Sequence, residues 1–249
     1  MPRPTRLEQV GEGLWLVEGP TVSFYGFPYP TRSVIVRLPN GTLWVWSPIP
    51  LDEDLLAEVT ELGVVAYLIS PNKLHHLGLL GWREAFPAAQ LWGVPSTVRK
   101  RADLHFDGVL DTSPPTTWQD TFDHVMFRGS PLLEEMIFFH RPSRTVLLAD
   151  LCEGLSHDFL ARHWAPWQRA IARLWGITEA APKAPLEIRL STIRRREARA
   201  AIRRLLAYDP EKVIMAHGVW QRCDGRAFLG RSFSWLSPEP LHAVGSDHR

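Results

Sequence analysis

Cysteine is scarce in this chain: Cys152 and Cys223 are the only two among 249 residues. That is too few for a disulfide framework, and a reducing cytosol is the expected setting. Neither sign of charge dominates, since 28 lysines and arginines stand against 27 aspartates and glutamates. No global electrostatic footprint therefore points to nucleic acid or an anionic membrane. No run approaches the roughly 18 apolar residues of a membrane span. The opening Met-Pro-Arg-Pro-Thr-Arg-Leu-Glu has no apolar signal-peptide core. Internal repeats and low-complexity tracts are missing as well. The expectation is a cytoplasmic, soluble globule, for which 45% apolar and 22% charged residues are ordinary.

Tryptophan, by contrast, is plentiful, with eleven in the chain. Trp44, Trp46, Trp164, Trp167 and Trp175 fall in predicted strands or helices, where large aromatics supply buried area. Trp82 stands near a pair of histidines and is a candidate pocket wall, with core packing the favoured reading.

The first 50 residues read as a β-meander, with strands at 14–17, 33–38 and 42–46. The last two are joined by Pro39-Asn40-Gly41, and Asn-Gly is a strong hairpin signal. A helix follows over 52–62, with Asp52 as its cap and Leu55, Leu56, Val59 and Leu62 at helical spacing. Residues 64–69 form an apolar strand, 78–86 a helix, 89–94 a strand and 97–102 a basic helix. Residues 107–118 read as loop. Strands are predicted at 122–128, 135–140 and 145–150. From 151 to about 208 the chain turns helical. Leu160, Trp164, Trp167, Ile171 and Leu174 predict one Trp-rich helix over 159–175, kinked at Pro166. A second helix, over 191–207, crowds six arginines between Arg194 and Arg204. Glu197 offers pairing there and stacking aromatics are missing, so a solvated face is favoured over contact with RNA. Residues 212–216 make a last buried strand. This order predicts a layered α/β sandwich. We expect one domain over 1–249 with a helical insertion at about 155–208.

Three strand ends carry side chains able to bind a metal: His75 and His76 after the strand at 64–69, Asp150 after 145–149, and His217 after 212–216. Imidazole is the commonest metal ligand, and neutral imidazoles with a carboxylate suit zinc, iron or manganese. Each group also admits an ordinary explanation: a surface histidine pair, a helix-capping aspartate, a turn at His217-Gly218. Their parallel placement at strand ends is what favours one shared site.

The arrangement resembles the metallo-β-lactamase superfamily. It is most similar to an uncharacterised branch that shares the segments Ser70-Pro71-Asn72-Lys73-Leu74-His75-His76 and Phe139-His140-Arg141-Pro142-Ser143-Arg144-Thr145. The resemblance covers roughly residues 8–230 and implies a four-layer αββα sandwich with a metal site at one edge of its two sheets. The superfamily's first motif is His-x-His-x-Asp-His. Aligning its last two positions with His75-His76 puts Pro71 and Lys73 where two histidine ligands should stand, and His75 where the aspartate should. The middle histidine motif should fall near Gly129-Ser130, and no histidine is there. Asp150 matches the later aspartate, and Ala216-His217-Gly218 the last histidine motif.

By this resemblance one ion of the usual pair has lost its ligands, while His75, His76, Asp150 and His217 would hold the other. The implied function is a metal-dependent hydrolase of a small molecule, with a reduced, mononuclear site. One divalent ion is expected, zinc first, iron or manganese as alternatives. Three histidines and one carboxylate would leave it strongly positive and able to acidify a water nucleophile. Glu135, or its neighbour Glu134, is the expected proton acceptor. Lys73 would replace lost charge or bind an anionic substrate, unless it is an ordinary surface lysine. The rivals are a non-catalytic descendant that binds a ligand or partner without metal, and a single-iron oxidoreductase. The Trp-rich helix is a candidate lid or homo-oligomer contact.

Overall fold

Alternation of side chains along each strand fixes how the layers stack. In the strand Leu43–Trp46, Leu43 and Val45 point to one side and Trp44 and Trp46 to the other, and all four are fully buried. A strand buried on both faces must lie inside a layered structure. The computed structural model describes residues 5–111 and 116–236; residues 112–115 of the predicted loop lie outside that part.

The first sheet holds β1 (Glu8–Gly11), β2 (Leu14–Phe24), β3 (Phe27–Arg37), β4 (Leu43–Trp46), β5 (Val65–Ser70), β6 (Gln90–Gly93) and β7 (Gly108–Val109), in that spatial order. It is antiparallel from β1 to β4 and parallel from β4 to β7. The second sheet holds β8 (Phe122–Phe127), β9 (Glu135–His140), β10 (Thr145–Leu148) and β11 (Lys212–Met215), ordered β11–β10–β9–β8. Its β10–β11 pair is parallel and the rest antiparallel.

Between the sheets lie Trp44, Trp46 and Ile69 from one side and Phe138, Leu147 and Ile214 from the other. Outside the first sheet pack α1 (Glu53–Leu62) and α2 (Leu79–Ala85), through Leu55, Val59, Leu79 and Trp82. Outside the second pack α8 (Arg195–Ala207) and α9 (Gly225–Ser232), through Ala198, Ile202, Leu205, Phe228 and Leu229. The architecture is the expected αββα sandwich. Shorter helices α3 (Pro95–Lys100), α4 (Thr116–Gln119), α5 (His157–His163), α6 (Pro166–Trp175) and α7 (Leu186–Ser191) complete it.

Several local expectations change. The Trp-rich helix is two helices, because Ala165 before Pro166 is extended and Pro166 opens α6 as its first residue. The helix expected over 191–207 begins four residues later as α8, and a separate short helix, α7, precedes it. Its arginines face outward while Ala198, Ala201, Ile202, Leu205 and Leu206 face in. Trp82 is a core residue, its Nε1 donating to Ile49 O at 2.6 Å. Phe139–Thr145 is the β9–β10 hairpin, where Arg144 adopts a left-handed φ of 50° and His140 Nδ1 lies 2.7 Å from Ser143 Oγ. That motif holds a turn and takes no part in the site.

The largest departure is the β2–β3 hairpin, whose strands each run eleven residues. Gly19, Pro20, Pro28 and Pro30 hide this length in the sequence. Proline is tolerated because that end of β3 pairs with β2 alone. Its tip is fastened to the helices: Trp164 Nε1 donates to Pro28 O at 2.6 Å and Gln168 Nε2 to Gly26 O at 3.1 Å.

The inter-sheet layer makes a direct prediction. Leu147 is fully buried at its centre, and Leu147→Ala should destabilise by about 2–5 kcal/mol. Denaturant unfolding followed by tryptophan fluorescence checks this.

Candidate functional site

Strands β4, β5, β10 and β11 all run out at one edge of the sandwich, and the residues that follow them meet there. Ser47 follows β4, His75 lies on the loop after β5, Asp150 follows β10, and His217 follows β11.

The loop after β5 is shaped by its own polar groups. Ser70 Oγ lies 3.0 Å from Asn72 O and 2.8 Å from His75 O. Asn72 Oδ1 accepts from Leu74 N at 2.8 Å, closing an Asx turn. Asn72 Nδ2 donates to Glu135 Oε2 at 2.9 Å and to Asp150 Oδ2 at 2.6 Å. Glu135 is fully buried, and it also accepts from Ala149 N at 2.7 Å and Asp150 N at 2.8 Å. These bonds fix the backbone that presents Asp150.

Asp150 faces two imidazoles. His75 Nε2 lies 3.1 Å from its Oδ2, and His217 Nε2 lies 3.3 Å from its Oδ1. The donor atoms of all three residues lie within 4.8 Å of one another. Each outer nitrogen has its own partner: His75 Nδ1 sits 2.6 Å from Ser47 Oγ, and His217 Nδ1 donates to Pro30 O at 2.7 Å. Arg32 steadies the His217 segment from behind, with Nη1 donating to Met215 O at 2.6 Å and Nη2 to Gly218 O at 2.8 Å.

The charges follow from this packing. Burial and the charge of Asp150 push the Glu135 carboxyl up to about 8, against the pull of its three N–H donors. Burial would raise Asp150 too, but His75 and His217 outweigh it and hold its carboxyl well below the usual range. Burial opposes charge on His217, yet the Asp150 hydrogen bond and charge raise it to about 9.

The donor set fits a metal ion. His75 Nε2 is buried and has no hydrogen-bond partner, although Asp150 Oδ2 is 3.1 Å away. One donor atom from each of the three residues lies close enough to the others to share an ion bound at about 2.0–2.2 Å. The contact from His217 Nδ1 to a carbonyl leaves Nε2 as the lone-pair atom, the usual outer support of a ligating histidine.

The remaining expected residues lie elsewhere. His76 does not join the cluster: the loop turns its ring toward Arg101, whose Nη1 lies 3.4 Å from His76 Nδ1. Burial, then Lys100 and Arg101, depress its pKa to about 4. Two adjacent histidines here do not converge. Glu135 sits behind Asp150 with both oxygens engaged, which does not suit a proton acceptor for substrate. Glu134 accepts from Ser96 N at 2.6 Å. Lys73 lines a cleft of about 740 Å³ that also exposes His75, Asp150 and His217.

Sequence reasoning missed four contributors. Asn72 stands in a quoted segment, yet its role as a double donor needs the second sheet to be in place. Ser47 follows a buried strand as the histidines do, and that position was a usable signal. Arg32 and Glu153 gave none. Glu153 is buried, lines the cleft and has an Oε2 without a partner. Burial pushes its carboxyl up to about 8, and the Tyr29 hydroxyl bonds to it.

Residues 13–161 match the family described as Domain of unknown function (DUF4336). The chain belongs to that family. The matched segment includes His75, His76 and Asp150 and stops before His217. No curated protein matches the chain. Among solved structures it is similar to a metallo-β-lactamase from Pontibacter korlensis, at 12% identity and a TM-score of 0.58, over 94% of this chain and 99% of that one. It is similar to one from Erythrobacter litoralis with β-mercaptoethanol in its active site, at 11% identity and a TM-score of 0.60, over 92% and 95%. It is also similar to FIM-1 from Pseudomonas aeruginosa in its mono-zinc form, at 10% identity and a TM-score of 0.55, over 92% and 95%. At these identities the likeness is one of fold: the metallo-β-lactamase fold.

The titrations predict how chelator-treated protein responds to pH. Between about 4.5 and 6.5, two effects offset. The unfolded chain binds protons on His76 and His140, which burial holds down to about 4 in the fold, while the folded chain keeps protons on Glu135 and Glu153. Above 6.5 only the folded chain holds extra protons, on Glu135, Glu153 and His217. Stability should therefore fall from pH 6.5 to about 9, and Glu153→Gln should flatten the slope. Thermal melts across this range test it, and a Tm that rises with pH there would contradict the assignment.

Proposed function

We propose that this chain is a metal-dependent hydrolase with a mononuclear site, in which His75, Asp150 and His217 hold the ion. The observation that carries the reading is the buried, partnerless Nε2 of His75 beside an ionised Asp150. With Nδ1 donating to Ser47 Oγ, that nitrogen carries a lone pair, and an ion among the three clustered donors would satisfy it. The set differs from the expected one by the loss of His76. With Pro71 and Lys73 at two lost ligand positions, nothing favours a second ion.

When bound, the ion supplies Lewis-acid chemistry, polarising a carbonyl or phosphoryl oxygen and lowering the pKa of water. The chain's own residues do the rest. Ser47 and Pro30 fix the imidazole planes, and Asn72 with Glu135 fixes the carboxylate. Asp150 keeps its charge at neutral pH, and His217 gives up its proton to become a ligand. Glu153, which lines the cleft, takes the proton-handling role expected of Glu135. Nitrogen and oxygen donors of this kind suit zinc first, with iron and manganese as alternatives.

Ser47, His75 and Asp150 also fall in the order of a nucleophile, its base and an orienting acid. Two observations count against that use. His75 Nε2 is not aligned to donate to Asp150, and the residue after Ser47 is Pro48, which lacks the N–H of an oxyanion hole.

Elemental analysis of protein purified without added metal should find about one ion per chain. His75→Ala with His217→Ala should abolish it, and His76→Ala should leave it in place. Absence of any ion after incubation with zinc, iron or manganese would sink the proposal. Ser47→Ala should weaken metal affinity about 10–100-fold, measured by competition with a chromophoric chelator.

A further inference from the structure

The cleft beside the three donors has walls of contrasting kinds. One wall is apolar: Phe24 and Phe27 from the fastened hairpin, Trp175 from the end of α6, and Ile188 from α7. Phe27 and Trp175 stack with ring centroids 6.2 Å apart and an interplanar angle of 28°. At the other side stand Lys73, two residues before His75, and Lys100, at the end of α3. Lys100 Nζ donates to Lys73 O at 3.1 Å, which anchors its ammonium at this lip. The neighbouring Arg101 is taken up by Asp103 at 2.7 Å. Among the described residues, no carboxylate pairs with Lys73 or Lys100. The Lys100 pKa is lowered by partial burial and then by the charges of Lys73 and Arg101, as expected for cations left without a counter-charge. Glu187, exposed next to Ile188 on α7 and near Tyr29 and Glu153, also lines the cleft.

We infer that the cleft binds a small organic anion with an apolar body, its anionic group seated between Lys73 and Lys100 and its body along Phe24, Phe27 and Trp175. The two uncompensated ammoniums give the ligand a direction, since an anion placed by Glu187 meets like charge. The volume of about 740 Å³ suits a molecule of drug-like size. A carboxylate, sulfonate or phosphate serves as the anionic group, since each offers oxygens to an ammonium. Calling this ligand a substrate rests on the metal-site reading; its binding does not.

Two fluorescent probes that share an aromatic skeleton separate charge from apolarity: anilinonaphthalene sulfonate, an anion, and phenylnaphthylamine, which is neutral. Both should bind the full-length protein, the anion more tightly. Lys73→Met with Lys100→Met should weaken the anion about tenfold and leave the neutral probe unchanged, and that unchanged binding also reports an intact cleft. Equal loss of both probes, or no loss of either, would overturn the inference. The same titration on His75→Ala, His217→Ala protein should keep the preference for the anion. If the preference vanishes there while the lysine variants keep it, the anion seat belongs to the ion and the inference fails. Metal content, measured separately, reports on the site itself.

Discussion

The two hydrogens of the Asn72 side-chain amide hold the site together. They reach from the loop of one sheet to two carboxylates of the other, Glu135 and Asp150. Beside them, Met136 N donates to Pro71 O at 2.9 Å, the backbone counterpart of the same crossing. Each orphaned acceptor of a buried acid costs about 1–3 kcal/mol. Remove this amide and both acids lose a donor at the seam where the sheets meet. The placement of Asp150, and through it of both imidazoles, follows from that seam.

The rest of the site is a matter of who stands behind whom. Glu135 backs Asp150, Arg32 backs the His217 segment, and Ser47 backs His75. Supporting groups of this kind orient the inner residues and set their basicity. The cleft is built by a different device, an extended hairpin fastened across its tip by Trp164 and Gln168. The polar floor and the aromatic wall meet at that hairpin, where Pro30 O accepts from His217 Nδ1.

Much of the architecture was legible because strand alternation and helix spacing report directly on burial. Trp44 and Trp46 against Leu43 and Val45 is such a pattern. Strand-end placement likewise singles out His75, Asp150 and His217 in the sequence. What failed depended on direction in space. Sequence adjacency could not say that His76 would turn to Arg101 while His75 turned to Asp150. The sequence also suggests that Glu135, an acid near a lost motif, faces substrate, whereas its oxygens are taken by Asn72 and by the Ala149 and Asp150 amides behind the site. The hairpin was shortened because its prolines read as breaks; they are harmless where a strand has one partner. Pro166 was read as a kink, though it opens a new helix.

Ser47 carries a further consequence. Its φ of 52° lies in the left-handed region, immediately before Pro48, a conformation that costs a non-glycine residue about 1 kcal/mol or more. Glycine would relax that backbone and at the same time remove the oxygen that meets His75. Thermal robustness and a well-oriented imidazole thus pull this position toward different residues. Serine keeps the imidazole oriented and accepts the backbone cost.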